Sequence, residues 1–210
     1  MKRFQMITEA DARVIEYGST VVLVPGGHIT PLAQDTLKAR RISIVREGTD
    51  VDAETLAPAA EIRTVAIGGD HTAVALKSAI RQHLRGRGIT VHDLGTDTSE
   101  PVDYPDTAGA VAIQVARGEA DAGIAIDGAG LGSAIAANKV SGIRAAMCVN
   151  HTLARYAREH NGANVLALGS TLVTSEEALK IVDTFIGTPM REPRYMRRLA
   201  KIRALEGRRA

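Results

Sequence analysis

An α/β fold built on a parallel sheet covered on both faces is predicted by three observations. From Arg63 onward, short apolar runs alternate with helical patterns, the signature of strands joined by crossover helices. One of those runs, Gly123 to Ile126, ends in the carboxylate of Asp127 and opens directly into the glycine loop Gly128-Ala129-Gly130-Leu131-Gly132-Ser133. The length, 210 residues, suits one sizeable domain with an appendage.

The elements follow in order. Met1 to about Val45 form an N-terminal extension: a helix from Thr8, an apolar strand Thr20 to Val24, a turn at Pro25-Gly26-Gly27, and a helix from Thr30-Pro31 through Arg40. Threonine at the cap followed by proline at the first helical position is a sound helix start. Arg46 to Glu61, rich in acidic residues and alanine, reads as a linker. Residues 62–210 then carry strands at Thr64–Ile67, Thr90–Leu94, Gly123–Ile126, Ile143–Val149 and Asn164–Leu168. Helices fall near Thr72–Arg85 and Thr107–Ala116, after the glycine loop, and near Thr152–Glu159 and Ser175–Ile186. Ligands of such sheets sit at the carboxyl ends of the strands. The polar residues there are Asp70, His71, Asp127, Asn150, His151, Ser170 and Thr171.

Composition excludes several functions. With 3% aromatic residues and no tryptophan there is little to stack on bases, so nucleic acid is not an expected partner. The net charge of +2 gathers at the C-terminus, where Arg191, Arg194, Arg197, Arg198, Lys201, Arg203, Arg208 and Arg209 would suit an anionic small molecule or simply a solvated helix. Cys148, the single cysteine, lies in an apolar run and reads as a buried strand residue. No run approaches transmembrane length and no signal-peptide pattern opens the chain, so no membrane is expected and the cytoplasm is the expected compartment. No His, Cys or Glu grouping has metal-ligand spacing, and no complete dinucleotide fingerprint is present; neither metal nor cofactor is expected.

Two constellations carry chemistry. Gly68-Gly69-Asp70-His71 joins a strand to a helix, where an anion is favoured; Asp70 as a helix cap is the plainer alternative, but it leaves His71 unexplained. Asp127 and the backbone N–H groups of Gly128 to Ser133 offer a base beside an anion cradle, as proton transfer next to a carbonyl requires; the alternative is again a cap. His160, in Arg158-Glu159-His160-Asn161 at a helix end, fits either a site or a favourable charge against the helix dipole. His28, His83 and His92 have no supporting pattern.

With these residues in place, the stretch from about Arg63 to Arg203 resembles the ribose-5-phosphate isomerase type B and galactose-6-phosphate isomerase family. The motifs are Gly69-Asp70-His71, Val102-Asp103-Tyr104-Pro105-Asp106, Gly118-Glu119-Ala120-Asp121, Ala136-Ala137-Asn138-Lys139, Gly142-Ile143-Arg144-Ala145, Arg158-Glu159-His160-Asn161 with Ala163-Asn164, and Arg194-Tyr195-Met196-Arg197-Arg198. The resemblance implies a Rossmann-like three-layer sandwich with a five-stranded parallel sheet. It implies a homodimer, or a dimer of dimers, with sites shared between subunits, and metal-free aldose-ketose interconversion of a phosphorylated sugar, such as ribose 5-phosphate, through a cis-enediol. Asp127, Asp70 and His160 are then the candidate catalytic residues. His71, Gly128, Ala129, Gly130, Leu131, Gly132, Ser133, Asn138 and Asn161 are candidate sugar contacts, and Arg194, Arg197 and Arg198 would grip the phosphate across the dimer.

The departures are specific. Many members carry a cysteine base where this chain has Asp127, and another subgroup has glycine there with glutamate at the position of Ser133. An aspartate base would need a raised pKa. A ring-opening histidine aligns with Val149, a phosphate-contacting arginine with Thr171, and the histidine between the tail arginines with Tyr195, which turns attention to shorter or open-chain pentose and tetrose phosphates. The rival expectation is a sugar-phosphate binder or assembly protein without catalysis. The first 45 residues, through Ile7-Thr8-Glu9 and Ile29-Thr30-Pro31-Leu32, resemble N-terminal modules of bacterial microcompartment proteins, implying a shell or cargo partner or an added dimer contact.

Overall fold

Alternation of small and branched apolar residues with capped helices builds two units, Met1–Ala53 and Glu54–Ala210, in a computed structural model that describes residues 2–46, 57–190 and 192–206. The expected linker falls largely on residues 47–56, which lie outside the described residues, as do Arg191, Arg208 and Arg209.

The first unit runs β1 (Arg3–Ile7), α1 (Glu9–Val14), β2 (Thr20–Ile29), α2 (Pro31–Ala39) and β3 (Ser43–Arg46), with a parallel sheet in the order β1-β2-β3. Both helix starts obey their sequence signals. The Asp11 carboxylate accepts the Thr8 N–H at 2.8 Å while Thr8 caps Asp11 in return. Thr30 caps Ala33 ahead of Pro31. Ile7, Ala12, Ile15, Val21, Leu23 and Leu37 form its core.

Three sequence expectations are corrected here. β1 and β3 were not anticipated, and Arg46 closes a strand where a linker was expected. Pro25-Gly26-Gly27 is a bulge inside β2, where a turn was expected. The pairing passes from Phe4↔Leu23 to Met6↔His28, so four β2 residues stand against one of β1 before the ladder resumes. Gly27 is required by close approach, since a Cβ there would meet the Val24 carbonyl oxygen at 2.8 Å.

The second unit comprises β4 (Thr64–Gly69), α3 (Val74–Gly86), β5 (Thr90–Asp93), α4 (Tyr104–Ala116), β6 (Ala122–Asp127), α5 (Leu131–Ala137), β7 (Ala145–Met147), α6 (His151–Asn161), β8 (Val165–Gly169), α7 (Ser175–Gly187) and α8 (Pro193–Glu206). The five strands are all parallel in the order β5-β4-β6-β8-β7, the Rossmann-like sandwich expected. The strand period of two divides the core between the faces. Val65, Ile67, Ile124, Ile126, Leu166 and Leu168 meet α3, α6 and α7, while Ala66, Ala125 and Val165 meet α4 and the end of α5.

β7 is shorter than expected, and side-chain amides bond the backbone where it begins. The Arg144 N–H donates to the Asn164 carbonyl and the Ala145 N–H to the Asn138 carbonyl, each at 2.8 Å. Among the described residues, no helix is long and apolar enough to cross a membrane.

Candidate active site

At the carboxyl edge of the sheet, β4, β6 and β8 end side by side and their loops are tied together. The Asp70 N–H donates to the Ile126 carbonyl at 3.2 Å, and Ser170 N–H to the Asp127 carbonyl at 2.8 Å. The Thr171 hydroxyl donates to the Gly128 carbonyl at 2.6 Å, and Ser170 and Thr72 bring their hydroxyls within 3.4 Å. Asp70, His71, Thr72, Asp127, Ser170 and Thr171 therefore share one rim.

Asp70 is 6% exposed and accepts both the N–H of Thr72 at 2.9 Å and its hydroxyl at 2.6 Å. It makes an Asx turn; the cap position of α3 belongs to Ala73, so Asp70 is not the helix cap that the simpler reading made it. His71 accepts the Val102 N–H on Nδ1 at 3.3 Å, which assigns its remaining proton to Nε2 in the neutral ring. That nitrogen is a donor available to a hydroxyl or oxyanion.

The glycine loop turns sharply because Gly130 has φ +75°, and a Cβ there would strike the Leu168 carbonyl carbon at 2.8 Å. At Gly132 a Cβ would meet the Tyr104 ring at 2.5 Å, so the ring lies directly against the loop. Asp127, 5% exposed, accepts the N–H groups of Ala129 at 2.8 Å and Gly130 on one oxygen, and of Ser133 at 2.7 Å on the other. The cap position of α5 belongs to Gly130, but the aspartate accepts the N–H groups at the helix start and fills, with its own carboxylate, the cradle expected for an enediolate. The Ser133 hydroxyl, fully buried, faces the same carboxylate without closing a well-formed hydrogen bond.

This arrangement corrects the expectation of a raised pKa. Burial pushes the Asp127 carboxyl up, but Ser133 and the N–H donors of Gly130 and Ala129 outweigh it and hold the group below its ordinary value. Cys148 is buried as expected, though it lies just past the end of β7 and not within the strand, and burial pushes its thiol up to about 11.

The remaining candidates lie at the other edge. α6 starts at the carboxyl edge and its eleven residues carry the chain about 16 Å, so His160 and Asn161 emerge near the amino ends of the strands. There His160 stacks between Tyr156 and Tyr195, at centroid distances of 4.7 and 4.6 Å. Asn161 donates to the Tyr156 carbonyl at 3.0 Å. It lines a hollow of about 410 Å³ with Asn138, Arg144, Ile202, Leu205 and Glu206. Arg197 and Arg198 are exposed on α8, Arg198 lying 5.5 Å over the Tyr195 ring; the side chain of Arg194 lies outside what the structure describes.

Asn138, a candidate sugar contact, ties the fold locally: its amide donates to the carbonyls of Ala134 and Ala145, both at 2.9 Å, and its oxygen accepts from the Ala145 N–H at 2.8 Å, so it pins α5 to β7.

Two buried cations escaped the sequence reading. Lys77, fully buried, donates to Asp93 at 2.7 Å and Asp97 at 2.8 Å, with Arg81 on Asp93 at 2.6 Å. Its signal was available, since Ala73, Lys77, Ile80 and Leu84 share one core-facing helical stripe. Arg158, also fully buried, donates to the carbonyls of Ala59, Ala163 and Thr188 and lies over Phe185. Burial pushes its pKa down to about 10. Among the described residues no group of His, Cys, Asp or Glu could hold a metal ion.

Fold and site together define a Rossmann-like α/β protein with a buried carboxylate in a glycine loop at the carboxyl edge. The chain belongs to the ribose/galactose isomerase family, whose model matches residues 65–202. It is 46% identical to ribose-5-phosphate isomerase B of Escherichia coli K12 over 148 residues, 70% of this chain and 99% of that protein. A solved ribose-5-phosphate isomerase B from Clostridium thermocellum superposes with a TM-score of 0.67 at 49% identity, covering 68% of this chain and 97% of that one. The Mycoplasma genitalium enzyme, solved with bound ribulose-5-phosphate, gives 0.65 at 42% identity over 68% of this chain and 95% of that one. The family match begins at β4 and leaves the first unit outside it.

Proposed function

We propose that this protein is a sugar-phosphate isomerase that interconverts the aldose and ketose forms of a pentose or tetrose phosphate through a cis-enediol. The observation that carries the reading is the match over 99% of the length of a ribose-5-phosphate isomerase B, with Asp127, Asp70 and His71 on one rim of the sheet. Asp127 moves the proton between neighbouring carbons, the loop N–H groups stabilise the enediolate oxygen, and Asp70 with the Nε2–H of His71 orients sugar hydroxyls.

A second copy of the chain supplies the phosphate grip. In one chain His160, Asn161, Arg197 and Arg198 stand at the opposite edge from Asp127, so they reach a carboxyl-edge site only from a partner. Leu131, Ile135, Leu153 and Tyr156 expose apolar surface on α5 and α6 that such a partner would cover. The first unit is an accessory module, for a microcompartment partner or the dimer itself.

Purified protein incubated with ribose 5-phosphate and with aldotetrose phosphates, assayed for ketose phosphate, tests the reading. Formation of ketose supports it; no product from any of these sugars leaves a binder without catalysis.

A further inference from the structure

We infer that Asp127 is a resident anion that the substrate must displace. Building on the isomerase reading, the reaction proceeds by exchange, the substrate's developing oxyanion taking the N–H donors of Ala129, Gly130 and Ser133 as the carboxylate leaves them. Both carboxylate oxygens are held by the loop that would otherwise meet the enediolate, and one cluster of donors cannot serve two anions at full strength. The Ser133 hydroxyl, fully buried beside this carboxylate and already favouring its charge, is placed to favour whichever anion occupies the loop.

The exchange also answers how so well-satisfied a carboxylate acts as a base. While it holds the three N–H groups it is a weak proton acceptor; released from them, yet still buried near Asp70, it becomes a stronger one. The proton leaves the carbon beside the carbonyl for Asp127, the C–H pair becomes the carbon–carbon double bond of the enediolate, and the carbonyl π pair moves to the oxygen that enters the cradle. Within the cis-enediolate the hydroxyl proton passes from the second oxygen to the first, moving the negative charge to the second oxygen; return of the carbon-bound proton from Asp127 to the first carbon then forms the new carbonyl at the second, with no net change in protons or electrons, and Asp127 recaps the loop.

The test compares two ligands on wild type, Asp127→Ala and Asp127→Cys: a four-carbon hydroxamate phosphate, whose planar anionic head mimics the enediolate, and the matching sugar-alcohol phosphate, which carries no such oxyanion. Exchange predicts that both variants bind the hydroxamate about tenfold tighter than wild type does, while the alcohol changes by about twofold or less. Equal or weaker hydroxamate binding by the variants, with alcohol binding kept, overturns the exchange. Should both variants lose the loop and bind neither ligand, backbone amide NMR of wild type decides. Selective shifts at Ala129, Gly130 and Ser133 on adding hydroxamate support the inference, and their absence overturns it. Wild type that binds neither ligand and forms no ketose phosphate overturns the isomerase reading itself, a result distinct from every other outcome.

Discussion

The two edges of the five-stranded sheet spend similar polar residues in opposite ways. At the amino edge, Asn138, Asn164 and Arg158 donate to or accept from backbone groups that the fold leaves without partners, and these bonds hold neighbouring segments together. At the carboxyl edge, Asp70 and Asp127 also bind backbone, but they do so on the rim where loops from three strands meet and where His71 offers a free donor face. The difference teaches that a polar residue in a family motif is as apt to hold the chain as to hold the substrate, and that its hydrogen-bond partners decide which.

The largest effect that would sharpen this contrast is on turnover. Asp127→Asn keeps the shape but removes the proton acceptor, and kcat should fall about 100- to 10,000-fold in a ketose-phosphate assay. A drop of only a few fold would return Asp127 to the structural side of the ledger.

On stability the amino edge should dominate. Arg158→Met leaves the carbonyls of Ala59, Ala163 and Thr188 buried without their donor and should cost about 3 kcal/mol in denaturant unfolding. Asn138→Ala should cost about 1–2 kcal/mol while leaving KM for the sugar phosphate unchanged; a raised KM would restore it to the substrate site.

The acid limb should report Asp127 too. Because its carboxyl is held below the ordinary value in the folded state, its contribution to stability is complete above that ordinary value and is lost as pH falls through the depressed one. Asp127→Asn should therefore flatten part of the acid-induced loss seen in a pH series of melting temperatures. The smallest effect is chemical: Cys148, with its thiol raised to about 11, should resist alkylation in the folded protein near neutral pH and react once it is unfolded.

Much of this architecture was legible in the residues themselves. The apolar strand runs, the Thr8 and Thr30 caps and the Asp127 loop all act locally, so short-range patterns report them. Legibility failed where long-range partners decide. Pro25-Gly26-Gly27 reads as a turn because nothing local reveals that β1 waits to resume pairing at His28. Arg158 goes unremarked as a buried cation because its acceptors lie as far away as Ala59 and Thr188. Asp127 reads locally as an acid-base group beside a cradle, yet that it occupies the cradle follows only from the fold of Gly130 and Ser133 back onto it. The division of His160 and Asp127 between opposite edges needed the direction of α6 in the assembled sheet.

The central claim, that the carboxyl-edge loop moves a carbon-bound proton and the amino edge does not, is tested most directly by deuterium incorporation. Wild type, Asp127→Asn and Asn138→Ala are each mixed with sugar phosphate in deuterated water, and the proton signal at the carbon beside the carbonyl is followed by NMR. The account predicts that the signal fades with wild type and Asn138→Ala and persists with Asp127→Asn. Exchange at the wild-type rate in Asp127→Asn, or its loss in a folded Asn138→Ala, would contradict it.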